Sequence, residues 1–331
     1  AYVNIVPYSF NVTPGPLVYE ALTVNKTHDY SSCLQFEDSD YSTPTIDPNR
    51  AYDQMLYTAV YGDDWDGLES AWRSCYTEEY ATILPYETSV TKLHEKIDSL
   101  IAEGNTSSNI GMKWGAALLD PAFKPVLTSL QTSNAVNGAI TNMPEDYQNG
   151  QSLKIIVLMA DGDNTTSYRF GDNSPYAQNV GADVYYIEYE PTIQVFQYAY
   201  RKNSKWWKSG TRRGDEEEVG IELETIDGEP MPDHWDVSYD ESKCHGWNVF
   251  WWTCMYKGEA SGEILSSHFI KHTGDVYDVT NERWMSMGDF NQFKNRNLII
   301  TETELTWPEA WGLMSPEYYG AVTGDWSAFN E

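Results

Sequence analysis

The sequence predicts an α/β fold built on a mostly parallel sheet, and three observations carry that expectation. The run KIIVLMA, residues 154–160, is apolar without interruption after its lysine, as strands covered on both faces of a parallel sheet are. Further strand patterns occur at DVYYIEY from Asp183 and DVYDVT from Asp275. Stretches with helical spacing lie before and between them, and strands alternating with helices indicate right-handed crossovers within one sheet.

The elements follow in order. AYVNIVPYSFNV reads as a buried strand that ends at the turn Pro14-Gly15-Pro16. Residues 16–85 show little periodicity, are rich in Tyr, Asp, Ser and Thr, and carry Cys33 and Cys75. They are expected to form long loops and short edge strands stapled by a disulfide, a length of irregular chain that usually serves function. From Glu87 onward Val90, Leu93, Ile97, Leu100 and Ile101 recur at spacings of three and four, which predicts a helix capped at Gly104. A second helix is expected from Ser108 to Leu119, ended by Asp120-Pro121. A third, from Gly262 to His272 with Gly274 after it, precedes DVYDVT. Residues 191–260 form an insertion with a basic island (RKNSKWWKSGTRR), an acidic run (DEEE) and an aromatic segment (CHGWNVFWWTC). After Asn297 a strand-like NLIITETEL leads into an aromatic C-terminal tail, residues 301–331.

The whole chain sets bounds on function. Its 331 residues suit one large elaborated domain or two average ones. With 50 acidic against 21 basic residues the formal charge is -29, which disfavours nucleic acid as a partner because that affinity comes from cationic side chains. Cations and basic proteins suit this surface better. No stretch of about 20 apolar residues is present to span a membrane, and the first residues lack the features of a signal peptide. The four cysteines, Cys33, Cys75, Cys244 and Cys254, form no CxxC pair and fit two disulfides in an oxidising compartment. Three pairings are open to them, of which Cys33 with Cys75 and Cys244 with Cys254 is the expected one. Such cysteines without an export signal suggest a mature or partial chain.

Ligands of open α/β sheets bind beyond the carboxyl ends of the strands. Asp161 stands at that end of KIIVLMA, and Gly162 lets the chain turn away. Thr106, between the first two helices, has two readings: its hydroxyl caps the second helix, or it ligates a hard cation beside Asp161. Other constellations are weaker. DDWDG at Asp63 to Gly67 lacks the twelfth-position glutamate of an EF-hand and reads as a solvated acidic turn. HEKID at His94 ends in Asp98 where a zinc protease needs histidine. His268 and His272, four apart on the expected helix, either share a metal or are ordinary surface histidines. Sequons occur at Asn11, Asn25, Asn105 and Asn164. There is no GxSxG elbow and no P-loop, so an enzyme is not expected. Paired carboxylates and exposed tryptophans leave a carbohydrate-active or carbohydrate-binding protein as an alternative.

The order of segments NIVPYSFNVTPG, Ser32-Cys33-Leu34, LPYETSVTKLHEKIDSLIAEGNT, NIGMKWGAALLDP, KIIVLMADGDN and GDVYDVTN resembles the von Willebrand factor A domain, and more closely the version in TadG-like proteins of bacterial tight-adherence pili. The matching segments are spread across most of residues 1–300, and the resemblance implies a doubly wound, Rossmann-like sheet. It also implies a metal-ion-dependent adhesion site in which Mg²⁺ or Ca²⁺ is held by oxygen ligands, with Thr106 matching the family's second ligand motif and Asp161 its third. Two departures stand out. Ala160 replaces the threonine usual before the motif aspartate, and the first motif, Asp-x-Ser-x-Ser, is absent together with the central strand that precedes it. The missing strand and its helix are therefore expected on residues outside this sequence or on another chain. The function implied is an extracytoplasmic adhesion or assembly component of a bacterial pilus or related surface apparatus, binding protein partners or further copies of itself. The alternative is a structural filament subunit without a working metal site.

Overall fold

The computed structural model describes residues 1–60, 65, 72–150, 152–160, 162–165, 167, 169–171, 182–202, 216–223, 236–248, 253–261 and 263–327, with the backbone alone for the strands of 192–261. The chain divides into two compact units, Ala1–Val180 with Thr306–Glu331 and Gly181–Leu305. Helices and sheets are both present, so the fold is mixed α/β. The expected doubly wound parallel sheet is not: the sheets are predominantly antiparallel.

The first unit opens with β1 (Val3–Ile5), α1 (Pro16–Glu20), β2 (Thr23–Asn25), β3 (Leu34–Gln35), β4 (Ala51–Gln54) and β5 (Leu84–Glu87). Strands β2, β4 and β3 form one small sheet, β2 and β4 parallel, and β1 pairs antiparallel with β5. Three helices follow: α2 (Val90–Ser99), α3 (Ser108–Ala117) and α4 (Lys124–Thr132). The 16–85 region is more than loop decoration. Its Phe36, Ile46 and Tyr52 are buried with Trp114 and Leu118 from α3 and with Phe123, Val126 and Leu130 near α4. The Lys113 ammonium reaches into the same region and donates to the carbonyls of Asp40 (2.6 Å), Thr43 (3.0 Å) and Thr45 (2.7 Å). Cys33 and Cys75 form the expected disulfide, buried beside Met55 and Tyr57.

KIIVLMA, expected as a central strand, forms no strand. Such a strand needs hydrogen-bonding neighbours on both edges, and among the described residues no named strand pairs with it. Helix α2 departs from expectation in a related way. Its polar side is the one tied down, with Lys96 Nζ donating to the carbonyls of Glu79 (2.7 Å) and Tyr80 (2.9 Å). Val90, Ile97, Leu100 and Ile101 remain exposed.

The second unit contains β6 (Ala182–Glu190), β7 (Thr192–Lys202), β8 (Glu216–Leu223), β9 (Asp236–Asn248), β10 (Thr253–Ser261), β11 (Leu265–His272), β12 (Asp275–Asp278), β13 (Arg283–Ser286), α5 (Met287–Arg296) and β14 (Leu298–Leu305). The helix expected over 262–272 is instead β11. Its Ser267 and Phe269 alternate on one sheet face, and Thr273 and Gly274, at φ 51° and 96°, close a tight hairpin to β12; positive φ at both central residues is the mark of a turn that matches strand twist. The sheet order is β13-β12-β11-β6-β14, and α5 covers one face with Phe290 and Phe293 against Ile187, Phe269 and Val276. The aromatic insertion folds as a second antiparallel sheet in the order β8-β7-β10-β9. Its register sets the first two residues of the basic island against the acidic run, Arg201 opposite Glu217 and Lys202 opposite Glu216. Cys244 and Cys254 stand on the adjacent strands β9 and β10, opposite Tyr256 and Trp247; their expected disulfide concerns side chains outside the described ones.

The chain then returns to the first unit through α6 (Trp307–Leu313) and α7 (Pro316–Thr323). Trp307, Trp311 and Tyr319 are buried against one another, and Phe170 packs on Trp311 with ring centroids 4.9 Å apart. A side chain at Gly312 would overlap the Tyr30 ring, and the Tyr30 hydroxyl donates to the Glu309 carbonyl at 3.1 Å.

Candidate functional site

Three loops of the first unit meet at the N-terminus of α3. Gly104 turns at φ 76°, where any side chain would overlap Ser9, so the segment after α2 can lie directly on residues 9 and 10. Ser9 Oγ donates to the Glu103 carbonyl (2.8 Å), and the Ser107 amide donates to the Ser9 carbonyl (3.0 Å). The segment after Asp161 closes over the same loop. Thr165 and Thr106 are joined twice, by the Thr165 amide donating to the Thr106 carbonyl at 2.9 Å and the Thr106 amide donating to Thr165 Oγ1 at 2.6 Å. The Ser108 amide donates to Asn164 Oδ1 (2.8 Å), and Ser167 Oγ donates to the Phe10 carbonyl (2.7 Å). Asn164 and Thr165 thus tie the segment after Asp161 to the start of α3, accepting from amides at the first helical residue and just before the N-cap.

Thr106 is at this junction, one residue before the N-cap position of α3. Ser107 holds the N-cap position, and its hydroxyl makes no capping bond. That Oγ is buried and has no hydrogen-bond partner among the described residues, an uncommon situation for a buried hydroxyl. Asp161 lies outside the described residues; Gly162, Asp163, Asn164 and Thr165 follow it and are exposed. The donors gathered here are oxygens, the set a hard cation takes. A helix N-terminus carries positive potential, so a cation would require carboxylates nearby, and Asp161 and Asp163 are the acidic residues of this segment. Among the described residues no three His, Cys, Asp or Glu side chains form a metal cluster.

A cleft of about 160 Å³ opens beside the junction, lined by residues that include Asn11, Phe36, Asp38, Tyr41, Asn109 and Arg169. Sequence reasoning places Asn164 beside the site as a sequon but does not find Ser107 or Thr165. The hydroxyl- and amide-rich strings GNTSS and DNTT were the available signal, since Asn, Ser and Thr side chains readily bind nearby backbone groups. Two sequons have structural roles: Asn11 is buried with its amide on Met55 Sδ at 2.6 Å, and Asn164 holds the α3 amide.

The remaining candidates are not brought together. His268 and His272 lie on a strand rather than a helix; four residues along a strand span about 13 Å, too far for one metal. His268 packs on Tyr186 with centroids 5.1 Å apart, and burial pushes its pKa down to about 4. His94 is exposed on α2. Of DDWDG, only Trp65 is among the described residues, and its ring meets Tyr318. Comparison of the chain with protein-family models, with characterised proteins and with solved structures finds no match.

Proposed function

We propose that the chain is a non-enzymatic adhesion or assembly component of an extracytoplasmic surface apparatus of the tight-adherence pilus type, engaging a protein partner at the three-loop junction. The observation that carries this reading is the junction itself. Residues far apart in sequence, Ser9, Thr106, Ser107, Asn164 and Thr165, converge at one helix N-terminus, and these are the segments whose order resembles the von Willebrand factor A domain. Thr106 and Asp161 would hold Mg²⁺ or Ca²⁺ there, and the bound ion would supply an open coordination position for a partner's carboxylate. The junction gives such a site a fixed floor, because each loop is bonded to the next through its backbone. The buried Cys33–Cys75 disulfide supports an oxidising location outside the cytoplasm.

Titration with Mg²⁺ or Ca²⁺ is expected to raise the unfolding temperature of the chain, since a ligand bound only by the native state stabilises it. Asp161→Ala is expected to abolish that rise while leaving the circular dichroism unchanged. An equal rise in the variant would eliminate the cation site. A structural subunit without a working metal site is the second reading, favoured by the exposed apolar side chains of α2; it predicts association between copies that persists in chelator.

A further inference from the structure

Among the described residues of the first unit, Leu153, Ile155, Ile156, Val157, Leu158 and Met159 form a continuous run of exposed large apolar side chains. Leu153, Ile155, Val157 and Met159 are 83%, 64%, 76% and 80% exposed, whereas the alternate Ile156 and Leu158 are 42% and 48% exposed. The less exposed side rests on α3, where a Cβ at Gly115 would lie 3.9 Å from Ile156. The run is tied at both ends. At its start, Lys154 Nζ donates to the Glu145 carbonyl and lies 4.1 Å from the centroid of the Tyr147 ring, and Tyr147 donates to buried Asp120 at 2.9 Å. At its far end the Tyr8 hydroxyl donates to the Met159 carbonyl at 2.8 Å. Between these ties no ladder pairing involves the backbone of the run among the described residues. Tyr8, which makes the second tie, follows closely on β1, whose neighbour in the sheet is β5 alone among the described residues.

An apolar run held at both ends, with one side on a helix and its backbone outside any ladder, is a template for an added strand. We propose that residues 153–160 bind an extended segment of a partner polypeptide, which joins them as a β-strand. Its chemistry follows from the surroundings. The open side of the run is aliphatic, so the incoming strand presents Val or Ile at alternate positions. Glu145 and Asp146 stand before the run and Asp161 and Asp163 after it, so the strand has Lys or Arg at its ends. A second copy of this chain would bring a further charge of -29 to the interface, which argues for a basic partner instead. This inference does not require the cation, but it shares Asp161 with the proposed cation site.

The test uses the full chain in chelator, so that its outcome is read separately from that of the cation titration. The probe is a synthetic peptide of alternating valine and threonine flanked by lysines, with a control in which the threonines are replaced by proline, which cannot donate to a ladder. Saturable binding by fluorescence anisotropy is expected, with amide hydrogen exchange over 154–159 slowed by about tenfold or more in the complex. Ile155→Lys and Val157→Pro, at exposed positions, should each weaken binding by about tenfold or more while the circular dichroism stays unchanged. The inference is overturned if the peptide does not bind, if the proline control binds equally, or if protection falls elsewhere. It is equally overturned if sedimentation shows that the free chain already covers this run by pairing with a second copy.

Discussion

Lys113 and His268 show how single buried side chains carry more than their share of the fold. The Lys113 ammonium is buried on α3, and desolvation lowers its pKa, opposed by the nearby Asp40. It remains there because three carbonyls of the 40–45 segment accept its three protons, a complete match to the donors an ammonium has. Lys113→Met keeps the aliphatic stem but leaves those carbonyls without their donor, so a loss of about 2–4 kcal/mol in urea denaturation is expected. His268 acts through pH. Its folded pKa of about 4 lies below the ordinary 6.5, so the unfolded chain takes up the proton first. The stability from neutral His268 is therefore complete above pH 6.5 and declines as the pH falls toward about 4. Because the ring is partly exposed, the decline is expected to be about 1–2 kcal/mol, and His268→Gln should flatten unfolding free energy measured between pH 7 and pH 5. Burial lowers the His28 pKa as well, with its Nε2 near the Met55 carbonyl at 3.0 Å, so the variant should reduce the slope rather than remove it.

Elements in this molecule succeed or fail according to whether their partners are within reach. The disulfide joins residues 42 apart in sequence, and closing a loop of that length limits the unfolded chain by about 4 kcal/mol. Replacing Cys33 and Cys75 together by serine should lower stability by about 2–4 kcal/mol, measured as a shift of the denaturation midpoint. Local signals make α2, α3 and the strands β6, β12 and β14 legible: helical spacing in VTKLHEKI, the Asp120-Pro121 stop, alternation in DVYYIEY. β11 was misread because HFIKHTG contains a helix-like pair of histidines and a glycine that equally suits a hairpin, and only pairing with β6 decides between the two. KIIVLMA was misread for the opposite reason. Its composition suits a central strand, but strand formation is settled by neighbours, and no spacing within the run states whether they are present. The same limit applies to the site, where Thr106 and the sequon Asn164 can be placed by their surroundings but Ser107, Thr165 and the bonds that all four make cannot. Their roles arise from contacts across 50 or more residues of chain, such as Ser108 with Asn164 at a separation of 56.

At the scale of the whole molecule, each unit has its own core, one around Trp114, Phe36 and Val126 and the other around Ile187, Phe269 and Phe290. Calorimetry is expected to show two transitions, with the paired serine substitution at Cys33 and Cys75 moving only one of them. Coincident transitions that shift together would show that the units unfold as one. The chain enters the first unit, leaves it after Val180 and comes back at Thr306. This path has a consequence for synthesis. Trp311 and Tyr319, both fully buried, leave the ribosome only after everything from Gly181 to Leu305 has been translated, so the first unit must wait that long with Phe170 and Tyr30 uncovered. At about 5–20 residues per second that interval is long compared with the folding of a hairpin sheet. The later-made unit is thus free to finish first, and the earlier-made one is the half of the nascent protein that a chaperone would need to shield.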